Sequence, residues 1–215
     1  LHNVKADRHL EPKKTRKGGD IETGTPLRYL SWVGVISTYS VIGILNVVLP
    51  IYGREVMGIA ERAVGLILLT RGVATTFGFY VIGKSAWWHF KTMPILGTQI
   101  LFALCVVLLA NAGKPVAYYL TVPFIGFLAA FTYSSSVFHG VSGTKERAKR
   151  MAIHEALLVA GLILGSSAGG FIYQRYSMSA VYYSALVLTL SAFAAQLVLA
   201  AVFKRHGYRS NAAAD

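Results

Sequence analysis

Six long apolar runs separated by short polar stretches organise the chain, at residues 29–52, 63–83, 93–112, 115–138, 151–173 and 179–203. A helix of about 20 residues, rising ~1.5 Å per residue, crosses a ~30 Å hydrocarbon core, and every run is long enough to do so. The pattern therefore predicts an all-α membrane protein built from six transmembrane helices. Proline placement agrees with it. Pro26, Pro94 and Pro115 stand just before a run or in its first turn, where a missing N–H costs nothing. Pro50 and Pro123 fall inside runs and free the carbonyls four residues earlier, at Asn46 and Tyr119. Outside the bundle at 29–203, residues 1–28 read as a basic cytoplasmic linker or tail and 204–215 as a cytoplasmic tail.

Composition closes off the soluble alternative. The 215 residues are 54% hydrophobic and only 14% charged, with a mean hydropathy of +0.52, whereas about a quarter of an ordinary soluble domain is charged. Lys and Arg total 21 against 9 Asp and Glu, a formal charge of +12. In a soluble protein that excess would point to nucleic acid; between apolar runs it reports topology, and no nucleic-acid partner is expected. Sixteen of the cations fall on one side: the leading segment, the loops after the second and fourth runs, and the tail. Four fall on the other side, and Arg71 lies within a run. The bias predicts a multi-pass protein of the plasma (inner) membrane with both termini cytoplasmic, its basic loops also attracted to anionic lipid of the bilayer. Cys105 lies in an apolar run and has no second cysteine to pair with. Residue 1 is Leu and the first 28 residues are polar, so the chain reads as starting inside something longer, without a cleavable signal peptide.

A few residues carry candidate chemistry. Arg71 sits about eight residues into the second run, roughly 12 Å deep. A cation at mid-membrane costs about 2.5–3.5 kcal/mol, so it either snorkels outward or faces a polar ligand. Thr75 shares its face one turn on. Asn46 combines a side-chain amide with the carbonyl released by Pro50, and Tyr39 lies seven residues earlier on nearly the same face; a packing kink and a ligand contact both fit. The polar end of the fourth run, from Thr132 to His139, contributes Tyr133. Glu155 opens the fifth run beside His154, near Arg147 and Arg150. It could complement the helix dipole, pair with a loop arginine as a gate, or exchange protons. The segment GLILGSSAGG brings Gly161, Gly165, Gly169 and Gly170 to a helix face as a stripe that either packs a neighbouring helix or slides against it. The third and sixth runs have few polar groups and read as lipid-facing.

No enzymatic activity is expected. Gly140-Val-Ser142-Gly143 resembles the G-x-S-G of rhomboid intramembrane proteases, but Ser142 is followed by TKERAKR, a charged loop that neither excludes water nor forms an oxyanion hole. His, Cys, Asp and Glu show no metal-ligand spacing and there is no P-loop, so neither a metal nor another cofactor is expected.

Six runs with both ends inside, a basic leading segment and basic loops after the second and fourth runs resemble one half of a major facilitator superfamily transporter, over residues 27–205. VSGTKERAKRMAIHE (141–155) resembles the basic loop entering the fifth helix of a half. GLILGSSAGG is similar to the family's G-x-x-x-G-P-x-x-G-G pattern, with Ser166 in place of proline. GKSAWWHFK (83–91) occupies the place of the G-x-x-x-D-R-x-G-R-K loop, with Trp87 for the aspartate and Phe90 for the glycine. That degenerate loop and the basic segment in front imply the carboxy-terminal half, helices seven to twelve. The resemblance implies a permease or efflux pump that moves a small solute by secondary active or facilitative transport, with a proton as candidate coupling ion. The partner would be the amino-terminal six-helix half or a second copy. It further implies that the first, second, fourth and fifth helices line a cavity, making Tyr39, Asn46, Arg71, Thr75 and Tyr133 substrate-binding candidates and Arg147, Arg150 and Glu155 gating candidates. The alternative is a non-transporting six-helix interaction or assembly protein in which Arg71 and Asn46 merely pack.

Overall fold

In an apolar run the backbone polar groups find no water, so each run closes its hydrogen bonds internally as a helix. The computed structural model of the chain describes residues 25–112 and 114–205. Most of the expected linker and tail lies outside these described residues. The helices are α1 (Leu27–Glu55), α2 (Glu61–Gly83), α3 (Thr92–Ala110), α4 (Val116–Val141), α5 (Arg147–Arg175) and α6 (Met178–Arg205). All six are long and apolar enough to cross a membrane, and the described residues contain no strand. The protein is an all-α, integral, multi-pass membrane protein.

The helix ends follow local chemistry. Pro26 and Pro115 are the N-cap residues of α1 and α4. The largest departure from the expected bounds is at α5, which starts at Arg147 rather than near residue 151. Two loops turn on glycines in the left-handed region, Gly58 (φ +62°) between α1 and α2 and Gly143 (φ +70°) between α4 and α5. Gly143 is thus a turn residue, and the neighbouring Ser142 hydroxyl donates to the Phe138 carbonyl at the end of α4.

The helices stack in three layers. α1 and α4 form the middle, α2 and α5 one outer layer, α3 and α6 the other. α5 packs on α1 as α2 packs on α4, and α6 packs on α1 as α3 packs on α4. Exchanging α1–α2–α3 with α4–α5–α6 therefore reproduces the main packing pattern, although the two triplets run in opposite senses. Among the described residues α2 and α5 do not touch each other, which leaves a groove walled by α2 and α5 and floored by α1 and α4.

Close helix approach explains the α1–α5 pair. A Cβ on Gly161 would lie 2.8 Å from the Ile36 carbonyl oxygen, one on Gly169 2.8 Å from Ile44 Cγ1, and one on Gly165 would overlap the Ser40 backbone. Gly43 of α1 answers them: its Cβ would lie 2.9 Å from Ser166 N. Gly170 is different, because a Cβ there meets only Val47 Cγ1 at 3.9 Å. Three of the four stripe glycines thus hold α5 against α1. On α3 and α6, outward-facing Leu104, Leu108, Val187 and Val198 are exposed, as lipid-facing helices require. Their polar side chains Gln99, Thr189 and Gln196 turn inward and are fully buried or nearly so.

Candidate functional site

The groove collects polar side chains from all four helices around it. Tyr133 and Glu155 both stand eight residues from the helix ends that carry the α4–α5 loop, Val141 and Arg147, which is a depth of about 12 Å. Tyr39 and Arg71 stand twelve residues from Leu27 and Gly83 at the same end of the bundle, a depth of about 18 Å. The Tyr133 hydroxyl donates to Glu155 Oε1 at 3.3 Å. Tyr39 lies within electrostatic range of Tyr133, Glu155 and Arg71, which ties the two levels together. The Tyr133 ring is held edge-on between Phe79 of α2 (5.4 Å) and His154 of α5 (4.7 Å).

Arg71 reaches the groove because α2 lies close on α4. A Cβ on Gly126 would overlap the Arg71 carbonyl oxygen and lie 2.9 Å from both Arg71 Cγ and Thr75 Oγ1. A second close approach pairs Gly78 with Ala130, whose Cβ would be 2.8 Å from one built on the glycine. Thr75 Oγ1 donates to the Arg71 carbonyl (2.9 Å) and toward the Gly126 carbonyl (3.0 Å). Its hydroxyl hydrogen is thereby shared between two backbone oxygens, and Thr75 acts as a bridge between α2 and α4. Arg71 Nη1 is buried and has no hydrogen-bond partner among the described residues. A guanidinium N–H held out of water without an acceptor is costly unless something supplies one.

The remaining candidates lie apart from this cluster. Asn46 is exposed, on the Tyr39 stripe but about 10 Å further along α1. Arg147 is exposed. Arg150 is buried, with its guanidinium 5.8 Å from the Trp32 ring centre. Glu155 accepts from the Tyr133 hydroxyl, with His154 Nε2 3.8 Å from its Oε1. His154 Nδ1 is 2.8 Å from Ser136 Oγ, a hydroxyl–imidazole–carboxylate sequence. Ser136 and His154 are 0% and 1% exposed, so no substrate reaches that hydroxyl in this conformation.

Sequence reasoning overlooked Gly126, Gly78 and the Ser136–His154 contact. The small pair Gly126 and Ala130, four residues apart in a membrane helix, was a readable packing signal. The contact between Ser136 and His154 had none. Chemically, a guanidinium with an unused donor within electrostatic range of the Tyr39 phenol can hold an anion or a polar group by charge-assisted hydrogen bonds, and the Glu155 carboxylate can exchange a proton. No family model, curated protein or solved structure matches the chain.

Proposed function

We propose that the chain is one six-helix half of a secondary transporter of the major facilitator type, moving a small polar or anionic solute by alternating access. The observation that carries this reading is the groove. Tyr39, Arg71, Tyr133 and Glu155 converge in it from α1, α2, α4 and α5, and the buried Arg71 Nη1 lacks an acceptor there. The exchangeable α1–α2–α3 and α4–α5–α6 triplets, opposite in sense, match the three-plus-three inverted repeat nested within each half of such transporters. A groove open on one side is half a cavity, and a second bundle, either an amino-terminal half or another copy, closes it against α2 and α5. The reading puts both termini on the cytoplasmic side of the plasma (inner) membrane, and the excess of Lys and Arg in the loops on that side supports the orientation.

Flux decides the matter. The full protein with its second bundle is reconstituted in vesicles, and uptake of labelled acetate, lactate, benzoate and glucose is compared for native protein, Arg71→Lys and Arg71→Ala. A hydrogen bond to a charged group contributes about 1.5–3 kcal/mol, so Arg71→Ala is expected to weaken transport of the accepted probe by roughly 10- to 100-fold. Arg71→Lys should retain part of it. Unchanged flux in Arg71→Ala removes that residue from the mechanism. Absence of flux for every probe favours a non-transporting assembly protein, for which the exposed Leu69, Val73, Phe77 and Tyr80 stripe of α2 supplies a docking face.

A further inference from the structure

Behind the groove, a seam between α1, α3, α4 and α6 contains two buried primary amides. Gln196 Nε2 donates to the Leu30 carbonyl at 2.9 Å. Gln99 Nε2 donates to Ser37 Oγ at 3.0 Å and to the Thr189 carbonyl at 3.3 Å. A carbonyl only accepts, so both amides are fixed with nitrogen toward these partners and oxygen away from them. Gln196 Oε1 is then fully buried with no hydrogen-bond partner among the described residues, and Gln99 bonds Ser37 and Thr189 through its nitrogen.

Both amides line one small cavity of about 10 Å³, together with Ser31, Ser135, Thr98 and Thr132. They sit across Gly34, whose Cβ would lie 3.1 Å from Gln196 Nε2 and 3.7 Å from Gln99 Oε1. The hydroxyls around them fall short of donors. Thr98 donates to the Pro94 carbonyl and Thr132 to the Leu128 carbonyl. Ser31 and Ser135 bond to each other at 3.1 Å. His139 Nδ1 lies 2.8 Å from the Ser135 carbonyl, so it carries a proton and needs none from the serines. One serine hydrogen is therefore left for two amide oxygens.

We propose that a single water molecule is a fixed part of this seam, donating to Gln196 Oε1 and Gln99 Oε1 and accepting from a serine hydroxyl. One O–H satisfies Gln196 Oε1, which has no partner among the described residues, the other reaches Gln99 Oε1, and the volume is about that needed for one water centre. Holding a water that makes hydrogen bonds of its own is less costly than leaving a buried amide oxygen without a donor. A cation fits the oxygens but not the charge, since the lining residues include no acidic side chain. The seam also ties the α3–α6 layer to α1 and is independent of the transport reading.

The test is a crystal structure of the full protein that resolves ordered water, grown with rubidium in place of sodium. The expected result is a peak within about 2.6–3.2 Å of both amide oxygens with no anomalous signal. Gln196→Met keeps the volume but removes the acceptor, and Gly34→Ala places a methyl beside both amides; each should lose the peak and lower Tm. No peak in the native protein, an anomalous peak, or amide oxygens bonded directly to protein donors overturns the proposal, as does a peak that persists in Gln196→Met. The native density decides the question if the variants do not fold.

Discussion

Gly165→Ala is the sharpest probe of how α5 is held. A Cβ at this position would overlap the Ser40 carbonyl and lie 2.5 Å from its carbon and 2.7 Å from its Cα. Carbon–carbon contacts are favourable at about 3.5–4.0 Å, so the shortfall is about 1 Å. Every atom in the way is backbone, and none can move by changing rotamer. The two helices must separate by about that distance, which also loosens the contacts at Gly161 and Gly169. Overpacking of this kind costs about 1–3 kcal/mol. After the ~0.5–1 kcal/mol that alanine gains over glycine in a helix, the variant should be destabilised by about 1 kcal/mol net. Gly170→Ala is the internal control: its Cβ meets only Val47 Cγ1 at 3.9 Å, and stability should hold or rise slightly. Reversible unfolding in mixed detergent micelles measures both. A 1 Å shift of α5 would also stretch the 3.3 Å Tyr133–Glu155 bond beyond hydrogen-bond range, so flux should fall with stability. Equal stability of Gly165→Ala and the native protein would refute the close α1–α5 approach and the reasoning built on it.

Gly126→Val should push α2 off α4 and abolish flux while Arg71 itself is retained, as read by vesicle uptake alongside an unfolding curve. Thr75→Val removes the bridge to the Gly126 carbonyl and should cost about 0.5–1.5 kcal/mol in the unfolding assay; loss of flux without loss of stability would instead make Thr75 a ligand contact. Glu155→Gln keeps an acceptor for the Tyr133 hydroxyl but cannot ionise. An imposed proton gradient should drive uptake by the native protein and not by the variant, and gradient-driven uptake in the variant would remove Glu155 as the proton site. In a Cys105→Ala background, single cysteines at Ser85 and Thr144 should react with an impermeant thiol reagent from the cytoplasmic side, and cysteines at Gly58 and Ser177 from the opposite side; the reverse pattern would overturn the orientation.

Much of the architecture was legible because crossing a membrane is a local property. About 20 apolar residues that must satisfy their own backbone declare a helix wherever they occur, and basic loops declare a side without reference to any neighbour. Arg71, Tyr133, Glu155 and the glycine stripe stood out for the same reason, since a charge or a missing side chain in an apolar helix needs an explanation on its own. Their partners were another matter. Tyr39 and Tyr133 are nearly a hundred residues apart in the chain, and what brings them together is the rotation of each helix about its axis. In water an apolar stripe reveals that rotation, but a helix between lipid and protein can be apolar all round, and periodicity no longer marks the inner face. So Asn46, on the Tyr39 stripe, stays outside the cluster, and Gln99 and Gln196, in runs that read as lipid-facing, turn inward to form a polar seam. The sequence determined six spans, the polar residues that are costly within them and the uneven distribution of basic residues between alternate loops. Only packing, set by glycine-to-backbone contacts between helices distant in the chain, decided which of those residues share a groove.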